Sequence, residues 1–157
     1  MAKSSFKITL ESKALNKQID LAIKRNPKET TRAVRECLLD LASESARRAP
    51  IEAGDLRNDA KAVLNGATVF EKQSAAAGIV PASLKAFGEV GYSLPYALRQ
   101  HEELVYRHDR TDGYRRPDGT TVNMVAGGEA KFLEKPFEER KARYIRHIER
   151  IPEELIK

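Results

Sequence analysis

The residues with the greatest chemical potential are concentrated in one short segment, YALRQHEELVYRH, which runs from Tyr96 to His108. A histidine followed by a glutamate begins the zinc-protease signature, which requires a second histidine four positions after the first, on the same helix face. Position 105 is a valine, and the next histidine after His101 is His108, seven positions on. Because a single metal ion needs ligands closer together than this, the spacing predicts no zinc site in the segment.

Other catalytic patterns are also missing from the sequence. The carboxylates of Glu102 and Glu103 do not face each other on a helix, because adjacent side chains point in different directions. The aspartates of segment 109–118 lie in turn-rich sequence and show no metal-ligand spacing, and no nucleophile elbow or phosphate-binding glycine loop is present. We therefore predict a protein that is not an enzyme, with no catalytic residue, cofactor or metal. A metal-dependent hydrolase centred on His101, Glu102 and the aspartate-rich loop is the weakest alternative.

The composition is typical of a globular protein. The chain has 157 residues, of which 41% are hydrophobic and 32% charged, and this suits a single domain over 1–157 with its own core. No apolar run reaches the roughly 20 residues that cross a bilayer, and the first ten residues lack the apolar stretch of a secretory signal. Cys37, the only cysteine, lies in an apolar helical pattern and is predicted to pack in the core.

The net charge of +5 is concentrated towards the N-terminal end of the chain. Residues 1–50 contain eleven Lys or Arg and six Asp or Glu, an excess of five that accounts for the whole surplus. A basic region of this kind suits contact with nucleic acid, so a basic nucleic-acid-binding module is the main alternative function. The signs are mixed along the helices, and no aromatic residues alternate with the basic ones as a single-strand-binding surface would require.

Hydrophobic periodicity predicts helices at both ends of the chain. After an extended arm over 1–11, apolar residues at helical spacing predict a first helix that ends at the Asn26–Pro27 pair, because the residue before a proline avoids helical conformation. A long second helix continues to Arg48, with an apolar stripe on one face. Pro136 lies inside the last helical pattern, which predicts either that this helix begins near Lys135 or that it is kinked at the proline.

The middle of the chain predicts extended structure and a short helix. Residues 60–70 suit a strand with Asn65 and Gly66 as a kink or turn, and residues 84–93 suit another, with Phe87 available to the core. Residues 120–125 are typical of a return strand. The order of helices, strands and helix predicts an α+β fold, in which a long N-terminal helix and a C-terminal helix pack on a small antiparallel sheet with an extended hairpin or loop.

Pro95 is predicted to open the short helix that carries the histidine segment. On that helix we expect Tyr96 and Ala97 to face the sheet, while Glu102 and Glu103 stay in solvent. His101 would then lie at a corner of the fold and form a hydrogen bond with a backbone carbonyl.

Three separated blocks of the sequence resemble one protein family. They are APIEAGDLRND at 49–59, GYSLPYALRQHEEL at 91–104 and GGEAKFLEKPFEE at 127–139, and their order and spacing cover most of the chain from about residue 27 to 150. Together they resemble the neck and tail-completion proteins of tailed bacteriophages, also described as tail-component or minor capsid proteins. The matching residues are Pro50, Gly54, Leu56, Arg57, Tyr96, Ala97, His101, Glu102, Lys131, Phe132, Leu133 and Pro136. Ala53 departs from the usual threonine, and the loop at 109–125 is longer than in the family pattern.

The resemblance implies a structural function in the virion. Such proteins act at the head–tail junction as homo-oligomeric rings, which implies a six- or twelve-fold ring here. The implied partners are the connector or head-closure protein and the tail terminator or tail tube protein, with non-specific DNA contact and no membrane. The chain would be made in the bacterial cytoplasm and incorporated in the neck or tail of the virion. Both a neck protein and a tail terminator fit the sequence.

Exposed loops that become ordered on contact would form the interfaces of such a ring. Segments 71–83 and 109–125 are the predicted excursions from the domain. The second loop carries three arginines and a tyrosine, residue types that are enriched at interface hot spots. The predicted interface residues are Arg110, Tyr114, Arg115 and Arg116.

Overall fold

The computed structural model describes residues 6–8, 13–25, 27–50, 55–72, 78–82, 86–104, 114–115, 121–122 and 128–151. The helices are α1 Lys13–Arg25, α2 Pro27–Arg48, α3 Asp55–Asn58, α4 Ala97–Glu102 and α5 Glu134–Glu149. The strands are β1 Phe6–Ile8, β2 Lys61–Leu64, β3 Ala67–Glu71, β4 Gly88–Tyr92, β5 Tyr114–Arg115 and β6 Thr121–Val122. Helices packed on an antiparallel sheet confirm the predicted α+β fold.

The four longer strands form one antiparallel sheet in the order β1, β4, β2, β3. The link between β2 and β3 is a tight turn in which Asn65 has a φ of 50° and Gly66 a φ of 82°. Positive φ at both central residues is the geometry that matches the right-handed twist of a hairpin, and the Asn-Gly pair adopts it at low cost. The turn alternative predicted for this pair is therefore confirmed.

Helix α2 covers one face of the sheet through small residues. The apolar stripe predicted on it is buried, with Leu41, Ala42 and Ala46 in the core. A side chain on Gly88 of β4 would lie 2.5 Å from the nearest Leu38 atom, so the Leu38 side chain packs against the strand where glycine leaves room for it. Beside it the hydroxyls of Ser45 and Tyr92 are 2.7 Å apart, and burial raises the pKa of Tyr92.

Ion pairs hold α5 antiparallel on α2. The carboxylate of Asp40 accepts hydrogen bonds from Arg140 at 2.7 Å, from the Tyr144 hydroxyl at 2.7 Å and from Arg143. Burial acts to raise the pKa of Asp40, but these donors outweigh it and lower the pKa overall. At one end Arg48 pairs with Glu139, and at the other the His147 ring lies 2.7 Å from Glu36. These pairs fix the register of the two helices.

The start of α5 agrees with the prediction made from Pro136, which lies in the first turn of the helix. Phe137, Tyr144 and Ile148 form its buried face. Among the residues the structure describes, no helix is both long and apolar enough to cross a membrane.

Two predicted core positions are wrong. Phe87 is 53% exposed, because Val90 and Tyr92 face the core and alternation along β4 turns position 87 to the opposite side. Tyr96 is 40% exposed, because Ala97 and His101, one helical turn apart, are the residues of this segment that face inwards. Ala97 and Glu102 lie as predicted, buried and exposed respectively.

The predicted excursions are described only in part. Within 71–83, Gly78 donates its N–H to the Thr68 carbonyl at 3.1 Å, and residues 73–77 lie outside the described structure. Within 109–125, Tyr114 pairs with Val122 and Arg115 with Thr121, which places the predicted return strand in a two-stranded hairpin. The predicted arm over 1–11 is described only at β1, which pairs with β4.

Candidate functional site

His101 lies at the centre of a buried junction between distant parts of the chain. Its side chain is 0% exposed at the end of α4. The imidazole meets the ring of Phe132 edge-on, with centroids 5.0 Å apart, and Phe132 meets Tyr92 in the same manner at 5.1 Å. Edge-to-face contact is the favourable arrangement for such rings. The three rings join β4, α4 and the segment that leads into α5.

The hydrogen bonds of the His101 ring indicate which nitrogen carries the proton. Nδ1 lies 2.8 Å from the Glu102 carboxylate, and Nε2 accepts a hydrogen bond of 3.4 Å from the backbone N–H of Glu134. A proton on Nδ1 satisfies both contacts with a neutral ring. Burial lowers the pKa of His101, although Glu102 partly opposes this. The carbonyl partner predicted for the ring is wrong, because the carboxylate of the next residue occupies that position.

Lys131 closes the junction from the other side. Its N–H donates a hydrogen bond of 2.7 Å to the His101 carbonyl, and its φ is 59°, in the left-handed region. The ammonium lies 2.5 Å from Glu102 and 2.9 Å from Glu134. Lys131 lowers the pKa of Glu102, and Glu102 in turn raises the pKa of Lys131. The left-handed backbone brings the lysine to a point where its ammonium forms ion pairs with two carboxylates.

Three of these side chains could also hold a metal ion. The donor atoms of His101, Glu102 and Glu134 all lie within 4.8 Å of one another, which makes them a possible ligand group within the described structure. Spacing along the sequence missed this group, because Glu134 is distant in the chain and comes close only in the fold. The Lys131 ammonium already contacts both carboxylates, so a metal ion would have to displace it.

The first sequence block packs against the third. The Arg57 Nε donates a hydrogen bond of 2.8 Å to the Ala49 carbonyl, and Leu56 is buried beside it. A side chain on Gly128, which has a φ of 119°, would lie 2.4 Å from the Pro50 Cα. The backbones at Pro50 and Gly128 are therefore in direct contact. Position 128 requires glycine for two reasons: its φ is positive, and a side chain would have no space.

Arg48 fixes the same two segments from the end of α2. Its carbonyl accepts the Glu129 N–H at 2.9 Å, and its guanidinium contacts Glu44, Glu129 and Glu139. The hydrogen bond from Arg47 is the main cause that lowers the pKa of Glu44 to about 2. Arg48 lies one position before the first block and was not singled out from the sequence. A charged residue at the end of a helix gives no local signal of a distant partner.

The third block packs against α4. Phe132 and Leu133 are completely buried, and the Lys131 carbonyl accepts the N–H of Lys135 as the chain turns into α5. Pro136 is among the fully buried side chains of the described structure. The second and third blocks thus meet at His101, and the third block meets the first where Gly128 approaches Pro50. Of the matching residues, Gly54 lies outside the described structure and Tyr96 is 40% exposed.

The predicted interface arginines are not part of the junction as described. Arg110 and Arg116 fall outside the described residues, and for Tyr114 and Arg115 only the strand β5 is described. The structure therefore leaves these four residues as a prediction.

The arrangement is suited to holding three segments rigidly together. Its charged groups are held in ion pairs, and its rings are packed edge to face. Comparisons with family models, with curated proteins and with solved structures give no match for this chain.

Proposed function

We propose that this chain is a structural protein of the head–tail junction of a tailed bacteriophage, a neck or tail-completion protein that assembles as a homo-oligomeric ring. The observation that carries the proposal is the convergence of the three sequence blocks. Each block resembles the same family, and the blocks are widely separated in the chain. In the fold the second contacts the third through His101, Lys131 and Phe132, and the third contacts the first at Pro50. Residues that match a family pattern and also form one physical unit support the resemblance more strongly than three separate matches.

The chemistry of the junction favours a structural function over catalysis. The His101 ring is inaccessible to solvent, and both ring nitrogens already have partners. The carboxylates of Glu102 and Glu134 are held by Lys131. A catalytic acid or base needs a free proton position next to a substrate, which the buried imidazole does not provide. The junction is suited to setting the shape of a subunit.

Exposed apolar residues at opposite ends of strand β4 support assembly. Ile79 is 94% exposed and follows Gly78, whose N–H donates to the Thr68 carbonyl of β3. Phe87 is 53% exposed beside the Asn65–Gly66 turn: its carbonyl accepts the Asn65 N–H, and its own N–H donates to the Asn65 side-chain oxygen. Leu98 and Leu104 are exposed beyond the other end of the strand. A ring needs two different surfaces on each subunit that fit together head to tail. Two separate apolar surfaces meet this requirement.

The experiment that tests the proposal measures the mass of the assembled protein. Light scattering with size exclusion is run over a range of concentrations, on the protein alone and with connector and tail proteins of tailed bacteriophages. We expect a closed ring of defined stoichiometry, alone or on addition of a partner. A monomer that joins no assembly under any of these conditions would contradict the proposal.

Paired substitutions locate the subunit contact. Ile79→Asp with Leu104→Asp places a charge on both apolar surfaces and should reduce assembly at least about tenfold, because burying an unpaired charge is costly. Ser43→Asp with Ala142→Asp adds the same charge at exposed helix positions and serves as the control. Equal assembly by both double variants would remove these apolar residues from the contact.

The predicted contact loop has its own test. Arg115→Glu with Arg116→Glu should leave the melting temperature unchanged while it lowers the yield of joined heads and tails, because rim charges guide association and little else. A normal virion yield from this double variant would exclude the loop from the interface.

A further inference from the structure

The cations of the helical layer fall into two groups, distinguished by their partners. Where α2 ends and α5 begins, Arg47, Arg48, Lys135 and Arg140 are all paired with carboxylates. Among the side chains that the structure describes elsewhere on α1 and α2, on α5 and directly after it, six cations make no ion pair with another described residue. They are Lys13, Lys17, Lys28, Arg35, Arg146 and Arg150.

The antiparallel packing of α2 and α5 brings four of the six to one end of the layer. The contact between Glu36 and His147 fixes the register. From Glu36 the chain runs eight residues back to Lys28, about 12 Å along the helix, and from His147 it runs in the same direction to Arg150. Helix α1, which carries the other two cations, packs on both α2 and α5. The six positive charges therefore share one layer of helices.

The part of this helical layer that carries the six cations is here called the basic helical surface. Few acidic groups offset its positive charge. Glu29 and Glu36 on α2 are both paired with Arg32. The described acids of the surface without a described ion pair are Asp20 and Glu149. The six unpaired cations and Arg32 together face four described acids, Glu29, Glu36, Asp20 and Glu149, which leaves an excess of three positive charges. An excess of this size concentrated on one surface attracts a polyanion.

The shape of the surface favours duplex nucleic acid over a single strand. Helices α1 and α2 contain no aromatic residue, and Phe137 and Tyr144, the aromatic residues of α5, are buried. A single strand is bound largely by stacking of its bases on exposed aromatic rings, which these helices lack. Duplex DNA is bound without sequence preference through Lys and Arg contacts to its phosphates.

We propose that the basic helical surface binds duplex DNA through its phosphate backbone, without sequence specificity. The inference stands on the charge distribution of one subunit and goes beyond the proposed ring, which it does not require. With about three phosphate contacts, the association constant should fall about 40-fold between 50 mM and 200 mM salt.

The test measures binding of a fluorescent 30-base-pair duplex to the full chain at several salt concentrations. Arg146→Glu with Arg150→Glu should reduce the affinity at least about tenfold. Lys17→Glu with Lys28→Glu is a second variant on other helices, and the new glutamate in the first turn of α2 suits the helix dipole, so it should fold. Lys61→Glu with Lys72→Glu is the control, because it changes the net charge equally at two exposed lysines of the sheet.

Several outcomes would overturn the inference. One is no binding by the wild-type protein at 50 mM salt, and another is an equal loss in the control and the surface variants. Tighter binding to a single strand of the same length, or to polyglutamate, would replace duplex DNA by another polyanion. The mass of each sample, measured in parallel, separates the two proposals. A variant that forms rings but loses DNA contradicts neither, whereas a monomer that binds DNA contradicts only the ring.

Discussion

The backbone carbonyl of His101 accepts a 2.7 Å hydrogen bond from the N–H of Lys131, and this one bond joins the end of α4 to the segment that leads into α5. Lys131 reaches this position only by adopting a φ of 59°, which costs a side-chain-bearing residue about 1 kcal/mol or more. The ion pairs of its ammonium with Glu102 and Glu134 accompany that strained backbone. The side chain of Lys131 therefore stabilises the junction, whereas its backbone conformation costs free energy.

Substitution of Lys131 separates the contribution of the ion pairs to stability from the cost of the left-handed backbone. Lys131→Ala removes the ion pairs and keeps the strain, so it should destabilise the fold. Lys131→Gly removes the ion pairs and also relieves the left-handed strain, so it should be about 1 kcal/mol more stable than the alanine variant. Chemical denaturation of both variants measures the difference. An alanine variant as stable as the glycine variant would show that the left-handed backbone carries no cost.

Gly128 should tolerate no side chain. Gly128→Ala places a methyl group against Pro50 at a positive φ, and we expect a loss of at least about 2 kcal/mol in the free energy of unfolding. Gly66→Ala is the matched control, since Gly66 also has a positive φ but nothing lies within 4 Å of the added atom. It should cost about 1 kcal/mol, from conformation alone. Equal losses at both positions, measured by thermal and urea unfolding, would argue against a tight contact with Pro50.

The stability of the protein should fall in two stages as the pH is lowered. The pKa of His101 is lowered below 6.5 in the fold, so the unfolded chain binds the proton more readily, and stability present at pH 7 is lost below about pH 6.5. The pKa of Glu44 is lowered from 4.5 to about 2, so its contribution is present above pH 4.5 and is lost as the pH falls towards 2.

Melting temperatures recorded from pH 8 to pH 2 test both stages. His101→Gln removes the buried imidazole and should flatten the decline between pH 7 and pH 5, whatever its effect on stability at pH 7. His147→Gln, at an exposed position, should keep that decline. Should His101→Gln show the same slope as the wild-type protein in this range, the first stage would have another origin.

Asp40 should be the most sensitive acidic residue on the contact between α2 and α5. Asp40→Asn replaces a carboxylate that accepts bonds from Arg140, Arg143 and Tyr144, and we expect a loss of about 1–2 kcal/mol because the site is partly exposed. Asp20→Asn on α1 makes the same chemical change where no described ion pair exists and should change stability by less than about 0.5 kcal/mol. Denaturant midpoints compare the two, and similar losses would show that the Asp40 contacts are not specific.

Much of the fold could be predicted from local signals in the sequence. Proline and periodicity predicted both ends of α2 and the start of α5, because a proline ring restricts the backbone wherever it stands. Asn65 and Gly66 predicted the turn between β2 and β3, because asparagine and glycine adopt positive φ at low cost. The prediction that Phe87 faces the core was wrong, because the direction of a side chain at a strand end depends on which face the rest of the strand buries.

The sequence alone determined the class of the fold, its elements and the three blocks that resemble one family. These depend on backbone preferences and on hydrophobic spacing, which act over a few residues. Only the tertiary structure decided that the blocks meet, that Glu134 and Lys131 join His101 and Glu102, and that four free cations share one end of the helical layer. Contacts between distant residues depend on how whole elements pack, and no local pattern in the chain specifies a partner at the other end of the fold.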